Sequence, residues 1–461
     1  MSASESSVDR FTDDSLALTR LPGHVRSLGF DWDMNWKNRT YNFVGQYALS
    51  DVRGSAPSIL RLQRSSARYF QKPDREHGGN GIFSDAFDVA ADRLSGYGGY
   101  ARVAKDAGTW LWESSVNYRS PGFEVNDIAF LTRADYFWQN FNFARSVSKP
   151  SKLFRYYFTV VGTQQQFNYD GDLIDRQFHS GIFGQFANYW PVNFFVIRRP
   201  ESYEDRLTRG GPTVRRRGST TWFGFLGTDA RKPISFTTSP NYGYSEAGTV
   251  GYSFDLSITY KPTNNIQISL GPAYNVSASP YQFVTAGADS TATAFFGTRY
   301  VFAELRQTLL SMNTRVNVTF SPRLTLEAFM QPLIASGDFF EYREFLAPRQ
   351  SAMRNFVPGT ELVTSTSTSG GTVYTVDADG AGTAAQTVSF GEPDFNFRSL
   401  RGNAVLRWEY RPGSTLYLVW QQSRSSSAPI GDFDFARDRS ALFGAHPDNI
   451  FLVKASYWFG F

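Results

Sequence analysis

The chain has 461 residues, 41% of them hydrophobic, and 46 basic against 42 acidic side chains give a net charge of only +4. Cysteine is absent, which excludes disulfides, thiolate metal sites and cysteine nucleophiles, and so balanced a charge does not mark a generic nucleic-acid binder. Mean hydropathy is −0.35, yet aromatic residues reach 16%, with 42 Phe, 24 Tyr and 10 Trp, more than a soluble globular enzyme needs. The four histidines, His24, His77, His179 and His446, are too scattered to suggest a ligand cluster. No run approaches the roughly 18 apolar residues of a transmembrane helix.

Residues 1–24 read as a polar segment, disordered or a truncated start; residues 1–14 show neither the basic n-region nor the apolar h-region of a secretory leader. From residue 25 onward the dominant signal is period two. Strands are predicted at 25–36, 39–51, 58–72, 93–105, 109–118, 127–146, 153–169, 174–189, 193–200 and 214–228. They continue at 234–244, 248–260, 265–286, 293–320, 324–339, 395–410, 414–422 and 449–461, about eighteen in all. Tyr252, Phe254, Leu256, Ile258 and Tyr260, for example, oppose Ser253, Asp255, Ser257 and Thr259. Many of these segments exceed the five or six residues typical of globular strands. Long strands, greasy on one side and polar on the other, describe an antiparallel transmembrane β-barrel with a lipid face and a wet lumen. Aromatic girdles then account for the composition.

The connections alternate. Tight Pro-bearing turns lie at Tyr260–Asn265, Phe320–Arg323 and Tyr410–Ser414, whereas long polar loops are expected near 74–93, 201–212, 341–394 and 423–447. Short periplasmic turns and long extracellular loops are the pattern of an outer-membrane barrel. The last strand alternates through Tyr457, Phe459 and a terminal Phe461, which resembles the signal read by the barrel assembly machinery.

The stretch Phe395–Gln422 (FNFRSLRGNAVLRWEYRPGSTLYLVWQQ) resembles the C-terminal barrel of a poorly characterised bacterial family, in which the barrel follows a domain similar to carbohydrate-binding module family 9. The resemblance continues in Ser120–Asp127 (SPGFEVND), Arg206–Pro212 (RLTRGGP), Gln331–Gly337 (QPLIASG) and Asn449–Trp458 (NIFLVKASYW), and covers the chain from about Gly29. It implies a bacterial outer-membrane location, with a signal peptide and a sugar-binding-like domain upstream; neither is found in this sequence.

Catalytic motifs are absent: there is no Gly-x-Ser-x-Gly, no Walker A and no His-Glu-x-x-His. The glycines of Gly96–Tyr100 are read as sites of close packing or a bend. His179 and Ser180 adjoin on a predicted strand, so they point to opposite faces and cannot form a dyad. Asp377-Ala-Asp-Gly380 resembles half a calcium loop but lacks the distal acid. Arg198–Arg199 and Arg215–Arg217 suit lipopolysaccharide phosphates or a solvated loop base. Asp255, Arg315, Glu327, Arg407, Glu409 and Lys454 are expected to face the lumen, where mixed charges either brace the wall or line a pore.

The function expected is a pore or transport scaffold, with outer-membrane lipid, lipopolysaccharide, the assembly machinery and oligosaccharide as partners, and neither cofactor nor nucleic acid. A glycan-acting hydrolase and an anchor for a periplasmic carbohydrate-binding domain are the alternatives.

Overall fold

The computed structural model describes residues 2–9, 21–76, 78–79, 81–366, 371–378, 380 and 387–459. The strands are β1 Ser2–Asp9, β2 His24–Trp36, β3 Tyr41–Arg53, β4 Arg93–Lys105, β5 Trp110–Arg119, β6 Tyr136–Val147, β7 Phe154–Phe167 and β8 Leu173–Phe186. Next come β9 Pro191–Arg199, β10 Ser202–Glu204, β11 Val214–Arg216, β12 Ser219–Gly227, β13 Ile234–Ser245, β14 Val250–Thr263, β15 Ile266–Ala288, β16 Thr298–Ser321 and β17 Leu324–Phe345. The chain ends with β18 Met353–Asn355, β19 Leu362–Thr366, β20 Thr372–Val376, β21 Val388–Gly391, β22 Phe395–Arg411, β23 Ser414–Ala428 and β24 Asp448–Ser456. Among the described residues two helices interrupt it, α1 Ala56–Gln63 and α2 Phe435–Gly444.

The protein is all-β, as the period-two pattern implies. One antiparallel sheet runs as a meander from β1 to β9, through β12 to β17, and on through β22 to β24, with β18 added beside the end of β17. Within the described residues β1 and β24 form the two edges and no pairing joins them. The hairpin β10–β11 and the small sheet β19–β20–β21 lie in long connections.

Hairpin turns at one end are short. In the β22–β23 turn, Pro412 precedes Gly413, whose φ of +77° suits the position after proline in a type II turn. The Gly413 amide donates to the Glu409 carboxylate at 3.1 Å. At the other end residues 54–92, 120–135, 200–218, 346–394 and 429–447 form the long connections.

Three expectations change. The strand expected over 58–72 is α1 plus loop: Pro57 lies in the first helical turn, and Ile59 and Gln63, four apart, are buried together on one side. Ser2–Asp9, inside the segment expected to be disordered, pairs along its whole length with β2. These two departures offset one another in the strand count. The strand expected from residue 127 begins at Tyr136 instead, because the preceding segment is a loop folded against the sheet.

Register separates the two faces. Partners directly opposite in an antiparallel pair share a face, so Trp32, Met34, Phe43, Phe141, Phe143, Leu326, Leu406, Trp408, Leu418 and Trp420 all fall on one side. Many of them are 40% exposed or more, including Phe141, Phe143, Trp408, Leu418 and Trp420. An apolar surface this continuous is far larger than a soluble monomer leaves bare.

Candidate functional site: the polar face and the loops folded onto it

The six charged positions singled out from the sequence share the opposite face. Asp255 lies opposite Ala273, Ser269 opposite Arg315, Asn317 opposite Glu327, Thr325 opposite Arg407, and Tyr417 opposite both Arg407 and Lys454. Glu409, two residues beyond Arg407, follows the same alternation. Among the described residues only Arg407 and Glu409 of this set form an ion pair, at 3.8 Å, and Glu409 also serves the turn. Arg315 lies over the Phe329 ring at 5.6 Å. Asp255, Arg315, Glu327 and Lys454 are exposed and form no ion pair among the described residues, so their charge is met by water.

Bracing is found elsewhere on this face, at Arg102, Glu113 and Asn142, which the sequence reading passed over, and at His179. Arg102 of β4 donates to Glu113 of β5 at 2.8 Å. Glu113 accepts from Asn142 of β6 at 2.9 Å, and Asn142 meets the His179 ring of β8 at 2.7 Å. Gly162 makes the crossing possible, since a Cβ there would sit 2.0 Å from the Asn142 amide oxygen. Ser180 pairs with Val196 on the apolar face, so His179 has no serine partner. The face is not polar throughout: Phe158, Phe183, Phe195 and Phe223 share it, with successive ring centroids 6.3, 4.7 and 5.2 Å apart.

At the long-loop end two loops fold onto the polar face. Ile59 and Phe70, from the 54–92 loop, pack with Val25, Val52 and Leu94, which register assigns to that side. Phe123, Leu131 and Ala134, from the 120–135 loop, pack against Ala48. Gly96 is the enabling residue, as the sequence suggested: a Cβ there would lie 2.2 Å from the Phe123 amide nitrogen.

Charged side chains then knot the loops together. Asp205, 1% exposed, takes Lys72 at 3.4 Å and Arg133 at 2.7 Å, so one carboxylate ties three loops. Arg75 reaches Asp135 at 2.8 Å, Asp85 at 3.2 Å and Asp170 at 3.3 Å. Arg68 donates to Glu124 at 2.7 Å. Arg349 pairs with Asp172, and its amide donates to the Thr213 carbonyl at 2.7 Å. The Thr213 amide in turn donates to Asp74 at 2.7 Å. Connections from well-separated strand pairs therefore meet over one end of the sheet. Beside the knot is a cavity of about 600 Å³ lined by Asp74, Glu76, Asp85, Asp170, Asp172 and Arg349.

The basic runs are largely committed to this chain's own acids. Arg198 pairs with Glu246, Arg215 with Glu201 at 3.2 Å and Arg216 with Glu204 at 3.5 Å, while Arg199 donates to Gln177 at 2.6 Å. Beyond β24, the Tyr457 and Phe459 rings meet at 4.6 Å. His77, Asp379 and Phe461 lie outside the described residues.

Burial raises the Asp170 carboxyl to about 6 even with Arg75 beside it. Burial also works against Asp205, but Lys72 and Arg133 outweigh it and hold that carboxyl at about 2. The two have opposite consequences. Folded Asp170 binds a proton that the unfolded chain has released between about pH 4 and 6, so its contribution to stability falls as pH rises through that window. The Asp205 contribution is complete above about pH 4 and is lost toward pH 2. Acidification from pH 7 to 5 is thus expected to stabilise the knot, by no more than about 1 kcal/mol after solvent screening. Limited proteolysis against pH measures this, and Asp170→Asn should flatten the response; an unchanged profile in that variant would contradict the assignment.

Solved structures overlap with this fold at low scores. The siderophore receptor PirA from Acinetobacter baumannii matches at 9% identity and a TM-score of 0.43, over 98% of this chain and 73% of its own. A mutant of the ferric enterobactin receptor PfeA from Pseudomonas aeruginosa matches at 8% identity and 0.42, over 98% and 71%. The siderophore receptor PirA from Pseudomonas aeruginosa does so at 8% and 0.39, over 96% and 73%. Overlap at that level carries nothing about cargo. No functionally curated protein matches the sequence. A family model described as a domain of unknown function, DUF5916, matches residues 26–334, more than half of the chain, and the chain therefore belongs to the DUF5916 family.

Proposed function

We propose that this protein is a bacterial outer-membrane barrel that passes solute, its sheet closing around a wet lumen whose outer mouth is held shut by the loop knot. One observation carries the reading: Asp255, Arg315, Glu327 and Lys454 lie exposed, with no ion pair among the described residues, on the face opposite a continuous aromatic one. An Arg or Lys facing lipid costs about 2–4 kcal/mol at the bilayer midplane, so the aromatic face is the one that meets lipid and the charged face the one that holds water. The short-turn end is then periplasmic and the knotted end extracellular. Outer-membrane lipid and lipopolysaccharide are the surroundings this implies, with Tyr457, Phe459 and Phe461 as the segment offered to the assembly machinery. Oligosaccharide as the cargo rests on the family resemblance and on the aromatic cluster from Phe158 to Phe223, a platform on which sugar rings stack.

Planar-bilayer recording of the refolded protein tests solute passage. Small, infrequent conducting steps at neutral pH are expected, blocked by an oligosaccharide if sugar is the cargo. A protein that inserts with full β content yet never conducts would overturn the transport reading.

A further inference from the structure

The 429–447 connection does not rise away from the sheet as an extracellular loop would. Asp438 of α2 is fully buried and accepts from Asn396 at 3.0 Å and from Arg398 at 2.9 Å, both on β22. The Phe443 carbonyl accepts from Arg424 of β23 at 2.9 Å. Register puts Asn396, Arg398 and Arg424 on the same face as Leu406, Trp408 and Trp420, so α2 lies against the apolar face. Ahead of the helix, Phe433 meets Tyr274 of β15 edge-on at 6.4 Å. A Cβ at Gly431 would sit 2.6 Å from the Asp338 backbone of β17. Residues 431–444 are thus a strap running across the strands from β15 to β23.

The strap sits where this face changes character. Along β23 the outward residues are Leu416, Leu418 and Trp420, followed by Gln422, Arg424 and Ser426. Trp420 stacks on Phe451 of β24 at 6.5 Å, an aromatic pair of the kind that gathers at a membrane interface. The helix crosses just above it. Its Asp438 and Leu442 are buried, and Phe435, Arg439 and Phe443, spaced by four, form a stripe along its flank. Phe435 is 51% and Phe443 57% exposed, with the Arg439 guanidinium 5.6 Å from the Phe435 ring.

Taking the apolar face as the lipid face, we propose that α2 is an interfacial helix, seating Phe435 and Phe443 at the boundary between headgroups and acyl chains of the outer leaflet. Its occupant is lipid, because its exposed rings lie at the rim of the aromatic surface, where the outward residues of β23 pass from Trp420 to Gln422 and Arg424. Phe side chains on one flank of a surface helix are suited to burial in that boundary layer. Here the buried Asp438–Arg398 pair holds the helix at a set height, so the strap collars the sheet at its membrane border.

The chain has no cysteine, so single spin labels report cleanly. Phe435→Cys, Phe443→Cys, Leu418→Cys and, in the 346–394 connection, Thr360→Cys would each be labelled and reconstituted in phosphatidylcholine vesicles. The ratio of collision with dissolved oxygen to collision with a water-soluble nickel chelate is then read. Labels at 435 and 443 are expected to give ratios several-fold above that at 360 and below that at 418. Ratios at 435 and 443 equal to that at 360, with 418 in lipid, would overturn the interfacial helix alone. Water-like ratios at 418 as well would overturn the membrane reading on which it rests.

Discussion

Asp205→Ala is expected to loosen the loop knot while leaving the sheet intact. The substitution strands Lys72, itself 2% exposed, as an unpaired buried cation and takes from Arg133 its 2.7 Å carboxylate. Removing one partner of a buried pair costs about 3–5 kcal/mol, chiefly because the other charge is left uncompensated. Two of the three loops pack on the polar face, and all three are joined at Asp205. The cost should therefore appear as local opening, with faster protease cleavage in 54–92 and 200–218 and larger conductance at unchanged strand content. Asp432→Ala is the control: its pair with Arg437 is exposed, at 68% and 37%, and such pairs contribute at most about 1 kcal/mol. Equal protease resistance in the two variants would show that the knot is not held at Asp205.

Gly96→Val acts on the same end from the sheet side. The new Cβ would meet backbone, 2.2 Å from the Phe123 nitrogen and 2.5 Å from the Gly122 carbonyl carbon, so no side-chain rotation relieves the clash. The 120–135 loop must lift. That withdraws Phe123 from its cluster with Leu131 and Ala134, and the Glu124 amide from its 3.0 Å bond to Ser50. Overpacking of this kind costs about 1–3 kcal/mol, occasionally more, and the upper end is expected because a loop is displaced as well. Thermal unfolding and proteolysis measure it. At Gly391 a Cβ would meet nothing within 4 Å, and Gly391→Ala should be neutral; a Gly96→Val protein as stable as Gly391→Ala would contradict the packing described.

How much of this is legible in the sequence follows from range. Two-residue alternation is local, so the strands, the two faces and the shared side of Asp255, Arg315, Glu327, Arg407 and Lys454 can all be read directly. The Pro-bearing turns are equally local. The knot is not, because Lys72, Arg133 and Asp205 are separated by long stretches of chain and nothing in their neighbourhoods marks them as partners. Residues 58–72 mislead for a related reason: Ile59 and Leu62 are apolar in a short window that fits a strand about as well as a helix. The strap is hidden too, since a ten-residue helix in a long polar connection gives no sign of the face on which it will lie. Gly96 is the exception, a glycine mid-strand whose need for close packing could be stated before its partner was known.

Two neighbours on β22 test most directly which face meets lipid. Val405 lies opposite Glu327 on the charged face, and Leu406 lies opposite Leu326 on the aromatic one. Assembly into vesicles of Val405→Arg and Leu406→Arg would be followed by heat-modifiable migration. Leu406→Arg is expected to lose about 2–4 kcal/mol, as a guanidinium facing lipid does near the midplane, and to assemble poorly. Val405→Arg should assemble as the parent does, with Glu327 at hand to pair. Equal assembly of the two, or failure of Val405→Arg alone, would contradict a wet charged face inside and a lipid-facing aromatic one outside.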